Sequence, residues 1–317
     1  IAPRHPRDAG RKCQQTRAEL VARYHAGSYQ AIGTRCLIGA RVDLIRIAGR
    51  RTVIILHFIG IGMGNPDHLT AQAIRELNQA DVIIVPRKGA DKADLADLRR
   101  QICDKVLQHP VPIVEFDLPV RNSTIGTYLD GVNDWHAAIA TTWQRVIRQS
   151  LPNGGTAALM IWGDPALYDS SLRIAERLFN SGMPVQIHMV PGLTSFQLLT
   201  AAHCIPLNTL GGAVIITTGR NLREKGWPED CETMVVMLDG ACAFQKLEPA
   251  DYDIWWGAYI GMENQLLIAG ALADRCNEII TKRAQARQQH GWIMDVYLLR
   301  KRNIRGQQAS FDTDAFR

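Results

Sequence analysis

Val53-Ile54-Ile55-Leu56-His57-Phe58-Ile59-Gly60-Ile61-Gly62-Met63-Gly64-Asn65-Pro66 decides the fold. Its first half is a continuous, largely β-branched apolar run, the mark of a strand buried on both faces. Its glycines let the chain turn sharply and let another backbone or a ligand approach closely. Asn65-Pro66 then supplies a helix cap and a first-turn proline. A buried strand running through a glycine turn into a helix is the opening unit of a parallel α/β sheet.

The following residues repeat the unit. Leu69, Ala73, Ile74 and Leu77 recur at helical spacing, and Val82–Val85 reads as a second strand stopped by Pro86. Leu95, Leu98, Ile102 and Val106 mark a second helix, and Val111–Phe116 a third strand. A long helix is predicted from Thr127 to Gln149. Leu151-Pro152-Asn153-Gly154-Gly155 has linker composition, so the domain boundary is placed there. The expected organisation is a basic extension over 1–52, an α/β domain over 53–154, a second over 155–300, and a polar tail over 301–317. Strands at 157–161, 185–190, 213–218 and 234–238 open the second half. Closely spaced strands at 253–258, 266–269 and 293–299 make its sheet mixed, whereas the first sheet is mostly parallel.

Charge and cysteine usage narrow the function classes. Residues 1–52 hold 11 of the 36 Lys/Arg and 3 of the 31 Asp/Glu, so the body carries a net charge of −3. That balance does not suit a nucleic-acid binder. No apolar run approaches the length of a membrane span, so no membrane partner is expected. The seven cysteines form no C-x-x-C pair, which argues against zinc and for reduced thiols in the cytoplasm.

Two further turns follow apolar runs: Trp162-Gly163-Asp164-Pro165-Ala166-Leu167-Tyr168 and Val190-Pro191-Gly192-Leu193-Thr194-Ser195. Such turns, at the carboxyl ends of strands, are where α/β proteins bind ligands. A dinucleotide fingerprint fails here. Asn65 stands where its third glycine belongs, and the second strand ends in Pro86-Arg87-Lys88 rather than in an acid.

Together the three turns resemble the signature of the tetrapyrrole methylase family over about residues 53–300. Met63 stands where most members have proline. The resemblance implies two α/β domains with S-adenosyl-L-methionine in the cleft between them, no metal, and a homodimer. By position it implies cofactor contacts at Gly163, Asp164, Leu167, Thr194, Ser195, Met237, Leu238 and Gly270. Finer segments, including Trp162-Gly163-Asp164-Pro165 and Trp256-Gly257-Ala258-Tyr259, resemble the branch acting on precorrin-5, with methylation at C1 and release of acetate. Members acting on another precorrin, on rRNA or on diphthine, and a nucleotide-binding module without catalysis, are the competing readings.

A polycarboxylate macrocycle calls for cations at the cleft rim. Arg87, Lys88, Arg121 and Arg220 follow strands and are the candidate substrate residues, with Met63 at the substrate end of the cleft. Lys92 is near the same loop. Asp117, Asp239 and Glu263 are the candidate bases, and His57 reads as a structural strand histidine. Methyl transfer needs only alignment, so it is expected to precede loss of the acetyl group.

Overall fold

The structure, a computed structural model, describes residues 53–87, 93–120 and 128–302. The expected extension over 1–52, the tail beyond Arg302, and Lys88, Lys92 and Arg121 lie outside the described residues. Two five-stranded sheets form the body.

The first sheet has strand order β3-β2-β4-β1-β5. Its strands are β1 (Ile54–Gly60), β2 (Val82–Arg87), β3 (Ile113–Asp117), β4 (Gly155–Ile161) and β5 (Val185–Val190), and every pairing is parallel. Helices α1 (Ala71–Gln79), α2 (Ala93–Val106), α3 (Tyr128–Ser150) and α4 (Ser171–Asn180) connect them. Thr70 starts α1, its Oγ1 accepting the Ala73 N–H at 3.0 Å. Helix α3 turns Ile139, Trp143, Val146 and Ile147 onto the sheet, with Trp143 5.9 Å from the ring of Phe58. Burying each such side chain contributes roughly 1.5–3 kcal/mol.

This topology corrects the expected division at residues 154 and 155. Strand β4 pairs with β1 from Ile54↔Gly155 to Gly60↔Ile161, and β5 pairs with the other edge of β1. The chain therefore leaves the first sheet only after Val190. The glycines that read as a linker are a tight return from α3, with φ of +80° at Gly154 and +136° at Gly155.

Pro86 also fails to stop β2, which runs on to Arg87. Beyond Ile84 the strand has lost its β4 neighbour and pairs with β3 alone. A residue without an N–H is tolerated on that open side.

The second sheet has order β6-β7-β10-β8-β9. Its strands are β6 (Val214–Thr218), β7 (Thr233–Met237), β8 (Tyr252–Ala258), β9 (Leu266–Ala271) and β10 (Asp295–Lys301). Only β6 and β7 run parallel, so the sheet is mixed as the close strand spacing implied. Helices α5 (Ser195–Ala202), α6 (Gly219–Lys225) and α7 (Leu272–His290) belong to this half, α6 being absent from the sequence reading. Leu272, Ile279 and Ala286 of α7 pack with Trp256, Tyr259 and Tyr297 in its core.

Candidate functional site

The parallel register explains why three segments distant in sequence meet. Strands β4, β1 and β5 are neighbours, and Gly60 lies level with Ile161 while Ile59 lies level with Val190. The turns that follow them must emerge side by side. They touch through backbone: the Gly163 N–H donates to the Gly62 carbonyl at 2.7 Å. A Cβ on Gly60 would lie 2.6 Å from Gly192 N and 2.7 Å from Gly163 O, closer than real side chains come. Glycine is required there by main-chain contact. The Asp164 carboxylate stitches the junction, Oδ1 accepting from Ala166 N at 2.8 Å and Oδ2 from Gly192 N at 3.0 Å.

A cavity of about 410 Å³ opens beside this junction and extends to the second sheet. Its size suits a small-molecule ligand. Met63, Gly163, Asp164, Leu167, Thr194, Ser195, Met237 and Leu238 all stand in its wall. Thr194 caps α5 in a reciprocal arrangement with Gln197. Ser195 Oγ is buried in the wall and has no hydrogen-bond partner among the described residues. A buried hydroxyl left unpaired is unfavourable, and this one is open to a hydrogen bond from the cavity side.

Backbone strain concentrates in the same wall. Tyr168 and Leu238 hold φ of +51° and +53°, a region that L residues seldom enter. Leu238 is also 67% exposed, an apolar side chain held out from the end of β7. Such strained, exposed positions persist where the surroundings fix them, and they cluster at ligand sites.

Gly270 is not in this wall. It lies in β9, the far edge of the second sheet, where a Cβ would meet the Arg275 side chain. Trp162 and Tyr168, the two ends of the second turn, also stand in the wall, together with Asp169, Ile260, Arg283, Arg287 and the loop Gly291–Met294, none of which was among the expected site residues. Both arginines lie in the C-terminal half of α7, and the loop follows its glycine cap at Gly291.

The three candidate bases fall in different places. Asp117 is exposed at the end of edge strand β3, where both its oxygens pair with Arg87 at 3.0 Å. Glu263 is exposed in the turn between β8 and β9, outside the cavity wall. Asp239 does reach the wall, but its carboxylate is fully engaged. Oδ1 accepts from Arg223 at 2.7 Å and Ala241 N at 3.1 Å, and Oδ2 from Ala243 N and the Tyr297 hydroxyl. Burial first, and then Asp239, push the Tyr297 phenol well above its usual range. This is a structural knot tying β7 to β10.

The expected substrate cations fare similarly. Arg87 is committed to Asp117 and lies outside the cavity wall, with Glu115 at 3.7 Å. Arg220 is exposed in the first turn of α6, also outside the wall. In their place the wall offers Arg287, exposed and with no ion pair among the described residues. A second cation lies behind the wall. Arg99 is 6% exposed, donates to the Met160 and Leu95 carbonyls, and stacks 4.7 Å from the Trp162 ring. Burial lowers its pKa to about 10, against the opposing field of Asp169.

Among the described residues no cluster of His, Cys, Asp or Glu could hold a metal ion, and no helix is long and apolar enough to cross a membrane.

The sequence pattern of the tetrapyrrole (corrin/porphyrin) methylases matches residues 55–275. The chain is 48% identical over 256 residues to a Sinorhizobium protein named precorrin-6A synthase [deacetylating], covering 80% of this chain and 97% of that one. It is also similar to a solved cobalamin-synthesis-related protein (CobF) from Corynebacterium diphtheriae. That match has a TM-score of 0.67 and 38% identity, covering 79% of this chain and 99% of that one. A uroporphyrin-III C-methyltransferase structure from Thermus thermophilus shares the fold, with a TM-score of 0.50 and 19% identity over 78% of this chain and 92% of that one.

Proposed function

Because the chain belongs to the tetrapyrrole methylase family, we propose that it is an S-adenosylmethionine-dependent methyltransferase of cobalamin synthesis that converts precorrin-5 to precorrin-6A, methylating C1 and releasing acetate. The observation that carries this reading is the cavity at the three-turn junction, taken with 48% identity to a protein bearing that activity in its name.

The wall suits the cofactor. Met237, Leu238, Leu167 and Ile260 give it apolar surface, the glycine turns expose main-chain groups, and the orphan Ser195 hydroxyl needs a partner. Gly163, Asp164, Leu167, Thr194, Ser195, Met237 and Leu238 would hold it. When bound, it supplies an activated methyl group on sulfur. In the methyl transfer the protein's own part is alignment, since a ring carbon can attack without a protein nucleophile. Met63 and Trp162 border the approach of the macrocycle, and Arg287 offers a guanidinium to one of its carboxylate arms.

No metal is required by this chemistry. The net charge of −3 on the body supports a tetrapyrrole over rRNA as acceptor. The free thiols of Cys103, Cys204, Cys231, Cys242 and Cys276 support a cytoplasmic setting. A homodimer is the expected assembly, and sedimentation at micromolar concentration tests it.

Incubation with precorrin-5 and methyl-labelled cofactor tests the reaction. Label in the macrocycle with one acetate released per methyl is the expected result. Transfer to RNA or protein, with none to a tetrapyrrole, would overturn it.

A further inference from the structure

Release of acetate asks for more than alignment, because a water must lose a proton as it attacks. Four carboxylates stand in the cavity wall: Asp164, Asp169, Asp239 and Asp295. Asp164 and Asp239 are engaged as described above. Asp295 is held by Arg283 on both oxygens, Nε at 2.8 Å from Oδ2 and Nη2 at 3.4 Å from Oδ1, and Oδ2 also accepts from Trp256 Nε1 at 3.1 Å; its side chain is buried. Asp169 differs. Its Oδ1 accepts the Ser171 N–H at 2.6 Å at the start of α4, while Oδ2 meets no donor among the described residues. It follows Tyr168, one of the strained residues of the wall.

Its surroundings are basic. The Asp169 field acts on two buried groups without an ion pair among the described residues, Arg99 behind Trp162 and His136 of α3. His136 is 4% exposed and its Nε2 is unpartnered. Arg173 reaches the Asp169 carbonyl at 3.3 Å. A carboxylate in a cavity wall with one oxygen fixed and the other without a donor among the described residues has the arrangement of a general base.

Resting on the reading under Proposed function, we propose that Asp169 Oδ2 is the general base of the deacetylation. It takes one proton from a water whose oxygen bonds to the acetyl carbonyl carbon. The bond between that carbon and the ring carbon then breaks. Acetic acid leaves, carrying the water's oxygen and its remaining hydrogen. The electron pair stays on the ring carbon, where it forms the bond to the incoming methyl group. Asp169 returns its proton to solvent. Water addition thus comes first, the reverse of the order expected from alignment alone, because the ring carbon needs the released pair.

The test is Asp169→Asn in the full chain. Asparagine keeps an oxygen for the Ser171 N–H but is no base. The expected result is a fall of about 100-fold or more in kcat for both acetate release and methyl incorporation. KM, calorimetric affinity for S-adenosylhomocysteine and melting temperature should stay near wild type, and Asp169→Glu should restore part of the rate. Acetate release within a few fold of wild type in D169N would overturn the assignment. So would a loss of S-adenosylhomocysteine affinity or melting temperature in step with the rate, which would mark a structural role. Full methyl incorporation without acetate release would overturn the order of steps. A wild-type protein that neither methylates precorrin-5 nor releases acetate would remove the proposed function as well, whereas an active wild type with an active D169N removes only the role of Asp169.

Discussion

Asp164 Oδ2 accepts the Gly192 N–H at 3.0 Å, tying the turn after β4 to the turn after β5. An acid that the signature places among cofactor contacts thus spends both oxygens on its own backbone. Asp164→Ala should leave two amide donors without partners, at about 1–3 kcal/mol for each that stays buried. S-adenosylhomocysteine affinity should fall at least tenfold by calorimetry, because the main-chain groups of Gly163 would drift. Unchanged affinity in that variant would show that the tie is irrelevant to the cavity.

Substituting Gly60 or Gly192 with alanine forces a Cβ against the backbone of the neighbouring turns. Backbone cannot rotate away, so the loss should reach about 3 kcal/mol or more. Gly182→Ala is the control: its φ is +79°, but nothing lies within 4 Å of the added carbon. Left-handed strain alone should then cost about 1–2 kcal/mol. Equal denaturation midpoints for G60A and G182A would refute the close-contact argument.

Tyr297→Phe removes one of the four donors to the Asp239 carboxylate. Stability should drop by about 1–2 kcal/mol, with methyl transfer per folded molecule little changed. A collapse of turnover at intact stability would return Asp239 to the list of candidate bases.

Acid should weaken the fold through two histidines. Burial holds the His57 pKa below 6.5 despite Glu76, and burial, then Arg177 and Arg173, hold His136 below it. Both groups therefore bind more protons unfolded than folded. Their contribution is intact above about pH 6.5 and is lost as pH falls below it. Melting temperatures between pH 7.5 and 5.5 should decline, and the double change His57→Gln with His136→Gln should flatten that decline.

The periodicity of the chain carried most of the fold. The sequence pattern marked all ten strands within two residues at each end. What it hid was adjacency. Leu151–Gly155 has the composition of a linker whether it joins domains or returns a helix to its own sheet, and only the pairing of Gly155 with Ile54 decides. The turn motifs located the cavity because chemistry there is local to the backbone. Arg87 and Asp117 lie outside the cavity wall for the opposite reason. Arg87 and Asp117 both end strands, where ligand residues often lie, but β2 and β3 are neighbours and the two side chains neutralise each other. Asp169 passed unnoticed because its role as a candidate depends on which carboxylates are already engaged, and sequence does not count hydrogen bonds.

The glycine junction draws on Gly60, Gly163 and Gly192, positions separated by much of the first sheet's chain length. Contacts so distant in sequence form late, since the intervening chain must be ordered before they repay its entropy. Binding competence is then a property of the finished sheet, absent from any early folding species. A ligand held there stabilises the native chain by mass action, about 2.7 kcal/mol at a hundred times its Kd. Refolding followed by ligand fluorescence should therefore lag refolding followed by circular dichroism.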